Sequence, residues 1–173
     1  MIIRDEKNSD IAHITALTEA AFASVAYSDG TEAHIVNRLR NEGDLALSLV
    51  AEETGRLLGH VAFSRVTISE TTGDWYGLAP VSVAPDRQRE GIGQNLVRYG
   101  LRRLRKLKAS GCVLIGSPDY YLRFGFQNNG SITYQDVPSL YVHWLSFNAE
   151  KPQGEVAYAP AFDTPTPTTE PAP

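Results

Sequence analysis

Residues 87–96, RQREGIGQNL, set two glycines between a strand-like run, APVSVAP, and a strongly helical one, LVRYGLRRLRKLK. Glycine is among the poorest helix formers, so a pair at a helix mouth needs a physical reason. The first turn of a helix leaves N–H groups without acceptors, and the aligned peptide dipoles place partial positive charge there. Lacking a Cβ, Gly91 and Gly93 let phosphate oxygens reach those amides, and Arg87 and Arg89 add charge at the rim. A loop that merely ends in glycine is the plainer alternative, but it does not account for the place between a strand and a basic helix. The turn predicts an anion site. Other phosphate loops fit worse. A Walker loop requires GxxxxGK[ST], and no Lys-Ser or Lys-Thr pair follows these glycines. A dinucleotide fingerprint wants a third Gly or Ala where Leu96 stands, and opens a parallel array.

The surrounding segments predict what this turn is built into. Ile2-Ile3 reads as a short strand, and Asn8, Ser9 and Asp10 offer caps for a helix with Ile11, Ile14, Leu17, Ala21 and Phe22 on its apolar face. A second helix follows Ser28-Asp29-Gly30, carries Ile35, Val36 and Leu39 on one face, and closes at Asn41–Asp44. LALSLVAEE and RLLGHVAFSRVTI, joined by Thr54-Gly55, predict an antiparallel hairpin. A turn at Thr71–Asp74 then leads into a third antiparallel strand, WYGLAPVSVAP. Pro80 has no N–H for the ladder, so a bulge or opening is expected there. The basic helix from Ile92 to Ala109 carries a stripe of Leu96, Val97, Leu101, Leu104 and Leu107, ended by Gly111. CVLIGS after it is a buried strand, and strand–helix–strand connectivity makes it parallel to its predecessor. PDYYLRFGF reads as one or two helical turns stopped by Gly125, with strand-like LYVHWLSF and EVAYAP beyond.

With 173 residues, the chain is long enough for one sizeable core and short for two. Its net charge of −4 disfavours nucleic acid or an anionic membrane as main partner, and no run approaches the roughly 20 apolar residues of a span. Cys112 is the only cysteine, so neither a disulfide framework nor a cysteine-based metal site is expected, and the N-terminus does not read as a signal peptide. These features predict a cytoplasmic protein without a metal.

Gln88-x-x-Gly91-x-Gly93 after a VxVxP-type strand end matches motif A, [QR]xxGx[GA], of the GCN5-related N-acetyltransferase (GNAT) superfamily. CVLIGSPDYYLRFGF is similar to that superfamily's next strand and short helix, with Tyr121 four residues before Gly125-Phe126. Gly77–Val83, Ile115–Phe126 and Tyr158–Phe162 (YAPAF) resemble the wording of the YhbS-like subgroup, and the likeness covers roughly residues 2 to 162.

The resemblance implies an α+β fold, an α/β/α sandwich whose mostly antiparallel mixed sheet contains a splayed parallel pair, with helices on both faces. It implies acetyl-CoA as co-substrate, Val81, Ser82 and Val83 along the pantetheine arm, and Gln88, Arg89, Glu90, Gly91, Ile92 and Gly93 around the pyrophosphate. Tyr121 becomes the candidate proton donor to the leaving thiolate, with Tyr120 beside it as a substitute. One or two of Arg102, Arg103, Arg105 and Lys106 meet the ribose 3′-phosphate or form a solvated face. Many relatives place a glutamate on the strand before the turn, whereas YGLAPVSV has no carboxylate; Glu32, Asp74, His60 or water is left as the base. The expected activity is acetyl transfer to an amine of a small molecule or peptide, against the alternatives of a turnover-free CoA sensor or a protein acetyltransferase. A monomer or a homodimer fits, and Tyr141 and Trp144 suit either an interface or the acceptor pocket. Domain boundaries are set at 1–162, followed by a Pro/Thr-rich disordered tail at 163–173.

Overall fold

A computed structural model describes residues 1–163; the expected tail lies outside the described residues except for Asp163. Its order is β1 (Ile2–Asp5), a 3-10 turn, α1 (Ile11–Phe22), α2 (Glu32–Glu42), β2 (Leu45–Glu53), β3 (Arg56–Ile68), β4 (Thr71–Val83), α3 (Ile92–Lys106), β5 (Gly111–Ile115), α4 (Pro118–Tyr121), β6 (Ile132–Thr133), β7 (Val142–Ser146) and β8 (Gly154–Ala157). The sheet runs β1-β2-β3-β4-β5-β7, with β8 joined to the far end of β3 and β6 to β8. Its main ladders are antiparallel apart from β4–β5, which is parallel.

Alternation along the strands builds two cores. Leu49, Val61, Phe63, Leu78, Cys112 and Leu114 face α3 and meet its Leu96, Val97, Leu101 and Leu104. Each such side chain, once fully buried, contributes roughly 1.5–3 kcal/mol. On the other face, Val50 and Ala62 receive Ile14 of α1 and Val36 of α2. Farther along that face the C-terminal segment covers Trp75 and Val113 with Ile132, Trp144 and Val156. The expected helices on both faces are therefore present, as are the Thr54–Gly55 hairpin and the parallel strand after α3.

Two boundaries differ from the sequence reading. The β3–β4 turn is Ser69-Glu70, with Ile68 paired to Thr71, so Thr71–Asp74 belong to β4; β-branched Thr71 and Thr72 suit a strand better than a turn. Leu107 is 58% exposed, because α3 ends at Lys106 and Lys108 adopts a φ of 60°, bringing Ala109 N–H to Leu104 O at 3.1 Å. Ala109 fills the core place expected of Leu107, and Gly111 opens β5 rather than ending the helix.

The predicted break at Pro80 is present. The β3–β4 register passes from Val61↔Val81 to Phe63↔Leu78, so Ala79 and Pro80 together face Ala62, a bulge around the cis Ala79–Pro80 bond. No helix among the described residues is long and apolar enough to cross a membrane.

Candidate active site

Strands β4 and β5 pair only through Trp75, Tyr76 and Gly77 with Gly111, Cys112 and Val113. Past those three residues each strand is held by its other neighbour, β4 by β3 and β5 by β7, so the pair parts like a V. Residues 78–83 of β4 thus have no strand on that edge, and about three of their N–H groups point at the opening.

The glycine turn lies at the top of this crevice. Gly91 precedes α3 with φ 84°, a left-handed conformation that costs other residues about 1–2 kcal/mol. A Cβ built on it meets nothing within 4 Å. The first helical bond is Asn95 N–H to Gly91 O at 3.0 Å, so the amides before it lack helical acceptors. Gly93 is different. Its Cβ would stand 3.0 Å from the Tyr120 hydroxyl oxygen and 3.5 Å from Val83 Cγ2, so the close neighbour there is the chain itself.

The remaining turn residues divide by role. Gln88 Nε2 donates to Val83 O at 3.2 Å, tying the turn to the strand end. Arg87 is neutralised by Glu90 at 2.7 Å and Glu53 at 2.9 Å, so it does not supply the free rim charge expected of it. Arg89 is exposed at φ 65°. Ile92 is buried beneath the helix, and Ser82 is buried on the opposite sheet face, its Oγ donating to Thr18 Oγ1 at 3.3 Å. Of the basic helix, Arg103 binds Asp5, while Arg102 and Arg105 stack over Tyr99 and Phe147. Arg98 and Arg123, which the sequence did not single out, both act on the Tyr120 phenol.

Tyr121 leans against the Gly116 backbone and packs beside Phe126 (6.3 Å) and His143 (6.1 Å). Burial raises its phenol well above the ordinary value, so it carries its proton at neutral pH. Its hydroxyl makes no hydrogen bond among the described residues. Tyr120 stands edge-on to it at 4.9 Å. His143 is fully buried with Nε2 donating to Gly116 O at 2.9 Å, which leaves Nδ1 as a bare lone pair.

The base candidates do not converge. Asp74 is exposed, paired with Arg65 at 3.0 Å, and lies about 20 Å along β4 from Val81. His60 is fully buried; Ser48 Oγ donates to Glu6 at 2.5 Å and therefore accepts from His60 Nε2 at 2.8 Å. Desolvation brings its pKa down to about 4, so the ring is neutral and structural. Glu32 accepts from Ser28 Oγ at 2.5 Å and, with Glu19 and Asp29, lines a cleft of about 370 Å³ between α1 and the α1–α2 loop. Tyr27 of that loop is 90% exposed. Trp144 is core, donating to Asn129 Oδ1 at 3.1 Å, while Tyr141 is 42% exposed.

Comparisons with known proteins give the family and support the fold. Residues 2–128 match the model of an acetyltransferase (GNAT) domain. The chain is 38% identical over 128 residues to the uncharacterized N-acetyltransferase YhbS of Escherichia coli K12, covering 73% of this chain and 74% of that protein. A GNAT family acetyltransferase from Brucella melitensis, solved with acetyl-CoA, superposes with a TM-score of 0.84 at 51% identity over 94% of this chain and 97% of its own. E. coli YhbS solved with CoA gives 0.85 at 30% identity, covering 94% and 92%. The family model covers well over half of the chain and the E. coli relative is matched over about three quarters of both proteins, so the chain belongs to the GNAT family of acetyltransferases.

Proposed function

We propose that this chain moves the acetyl group of acetyl-CoA to a primary amine of a small molecule or peptide, by direct attack in a ternary complex. The observation that carries the reading is the parting of β4 and β5 beside a turn whose Gly93 abuts Val81 and Val83 and whose Gly91 faces open space. A thioester arm laid there as an added strand would meet the N–H groups of Val81 and Val83, with Ser82 between them fixing the strand to α1. The diphosphate would sit on the amides of the turn from Gln88 to Gly93, with Arg89 and Glu90 at its solvent edge. The Brucella relative's acetyl-CoA and the YhbS relative's CoA support a ligand of this class.

The chemistry then follows from the residues at the mouth. The amine nitrogen bonds to the acetyl carbon, a β4 amide polarises the carbonyl oxygen, and the C–S electrons leave on sulfur. The unpaired Tyr121 hydroxyl protonates that sulfur. The amine proton departs to water, since none of Glu32, Asp74 and His60 faces the crevice unengaged. Cys112 is fully buried and its thiol is pushed far above the ordinary range, so no acetyl-cysteine intermediate forms.

A second reading, a CoA sensor without turnover, draws on the same lack of a free carboxylate. Steady-state CoA release with amines, polyamines and lysine peptides separates the two. Turnover that falls about 100-fold in Tyr121→Phe with acetyl-CoA affinity kept supports transfer. Binding with no turnover, indifferent to Tyr121→Phe, establishes the sensor.

A further inference from the structure

The YAPAF stretch has no part in the reading above, yet it sends a side chain to the point where the strands separate. Gly77 is the last residue of β4 paired with β5, and a Cβ there would overlap the Tyr158 ring and come within 2.9 Å of Val66 Cγ1. The phenol rests on the sheet face opposite α3, in the cluster that holds Trp75 and Val113 on either side of Gly77. Its mounting is rigid: Tyr134 stands edge-on at 5.1 Å, Phe162 lies at 4.8 Å, and β8 is pinned to β3 at Thr67 and Ile68.

A ring held this firmly has an idle hydroxyl. No hydrogen bond joins it to another group among the described residues. Ser64, directly across from Gly77 on β3, is fully buried and its Oγ is also unpaired. Native structures rarely leave a buried polar group such as Ser64 Oγ without a partner, and the half-buried Tyr158 beside it leaves its hydroxyl open to an incoming group. Burial drives the Tyr158 phenol far above its usual value, so it stays neutral, and Tyr121 is among the groups that act on it. Tyr121 lies against Gly116 in the α3-side cluster and Tyr158 against Gly77 in the cluster on the other face, so the two tyrosines bracket the opening from opposite sides of the sheet.

We propose that the Tyr158 hydroxyl oxygen accepts a hydrogen bond from the N–H of the incoming primary amine, on the sheet face opposite α3. This assignment rests on the acetyl-transfer reading. Holding one N–H at Gly77 leaves the nitrogen lone pair free toward the acetyl carbon, while Tyr121 serves the sulfur from the other face. Ile115, 36% exposed at the free end of β5, supplies an apolar wall beside the same opening.

The test uses conjugates in which CoA is joined through an acetyl bridge to butylamine, to spermidine or to the side chain of N-acetyllysine amide. Calorimetry gives their dissociation constants against CoA alone for the wild type, Tyr158→Phe and Gly91→Glu. At least one conjugate binds the wild type more tightly than CoA, and Tyr158→Phe removes about tenfold of that advantage, the worth of one hydrogen bond, with CoA affinity and melting temperature kept. Because Phe preserves the ring packing, a purely structural tyrosine predicts no change in the ratio. An advantage that survives in Tyr158→Phe, the absence of any advantage in the wild type, or a loss of CoA affinity together with melting temperature overturns the proposal. Undiminished CoA binding by Gly91→Glu instead removes the cofactor site on which it rests.

Discussion

Substitutions at Gly91 separate backbone strain from ligand contact, because the structure gives each a different magnitude. Its φ of 84° makes any other residue cost about 1–2 kcal/mol, but a Cβ there meets nothing within 4 Å. Gly91→Ala is therefore expected to fold and to lose roughly 2–8 °C of melting temperature, the shift such a cost gives in a chain of this length. Gly91→Glu pays the same strain and recovers part of it, since a carboxylate at a helix N-terminus gains about 0.3–1 kcal/mol. Against a diphosphate the sign reverses. Two like charges about 4 Å apart at an effective dielectric of about 20 repel by about 4 kcal/mol, close to a 1000-fold loss of affinity. Gly91→Gln has nearly the same bulk without charge and isolates the steric part. Calorimetric titration of acetyl-CoA at two salt concentrations would show Glu weakest, Gln intermediate and the Glu–Gln gap shrinking with salt. A wild-type dissociation constant for Gly91→Glu, or equal losses for Glu and Gln, would refute the placement of the diphosphate.

Gly100, midway along α3, offers a contest between propensity and packing. Alanine gains up to about 1 kcal/mol of helix propensity, but its Cβ would overlap Phe63 at the centre of the α3 core. Overpacking at such a site costs about 1–3 kcal/mol, so chemical denaturation is expected to show Gly100→Ala less stable; a stabilised variant would show that the core yields freely. His60 sets a pH dependence. Its folded pKa of about 4 lies below the unfolded 6.5, so the unfolded chain binds the extra proton and stability present above pH 6.5 is lost as pH falls toward 4. Between pH 7 and 5 this amounts to about 2 kcal/mol, which His60→Gln should remove from the slope; buried His143, shifted the same way, keeps a remainder. An unchanged slope in urea denaturation at the two pH values would exclude His60 as its source.

What could be read from the sequence was what depends on near neighbours. The hairpin at Thr54-Gly55, the helix after Gly91 and the stop at Gly125 follow from turn chemistry and period within a few residues. Pro80 announced its own bulge through its missing N–H. Leu107 misled because it keeps the helical spacing one residue past the last turn. Partners distant in sequence were invisible. Arg87 looked like rim charge until β2 brought Glu53 beside it, and no local signal placed Tyr120 over Gly93 or Tyr158 over Gly77. The doubled tyrosine in PDYY held the only hint, and spacing could not say which ring faced which way.

The glycines around the crevice sharpen the case for Gly91. Each of Gly77, Gly93 and Gly116 gives the space of its missing Cβ to one of the chain's own tyrosines: Tyr158, Tyr120 and Tyr121. Those three contacts are complete without a ligand. They fix three phenols around the gap left where β4 and β5 stop pairing, on both faces of the sheet. Gly91 breaks the pattern, for it faces open space at the end of a helix whose first amides have no acceptor. Steric accommodation of the protein's own side chains thus explains three glycines and fails for the fourth. A left-handed turn alone would permit Gly91 but would not require open space before it, beside a β4 edge that β5 leaves uncovered past Gly77. The proposed ligand, a diphosphate with an arm running down the strand edge toward Tyr121, is the kind of group that would fill that space.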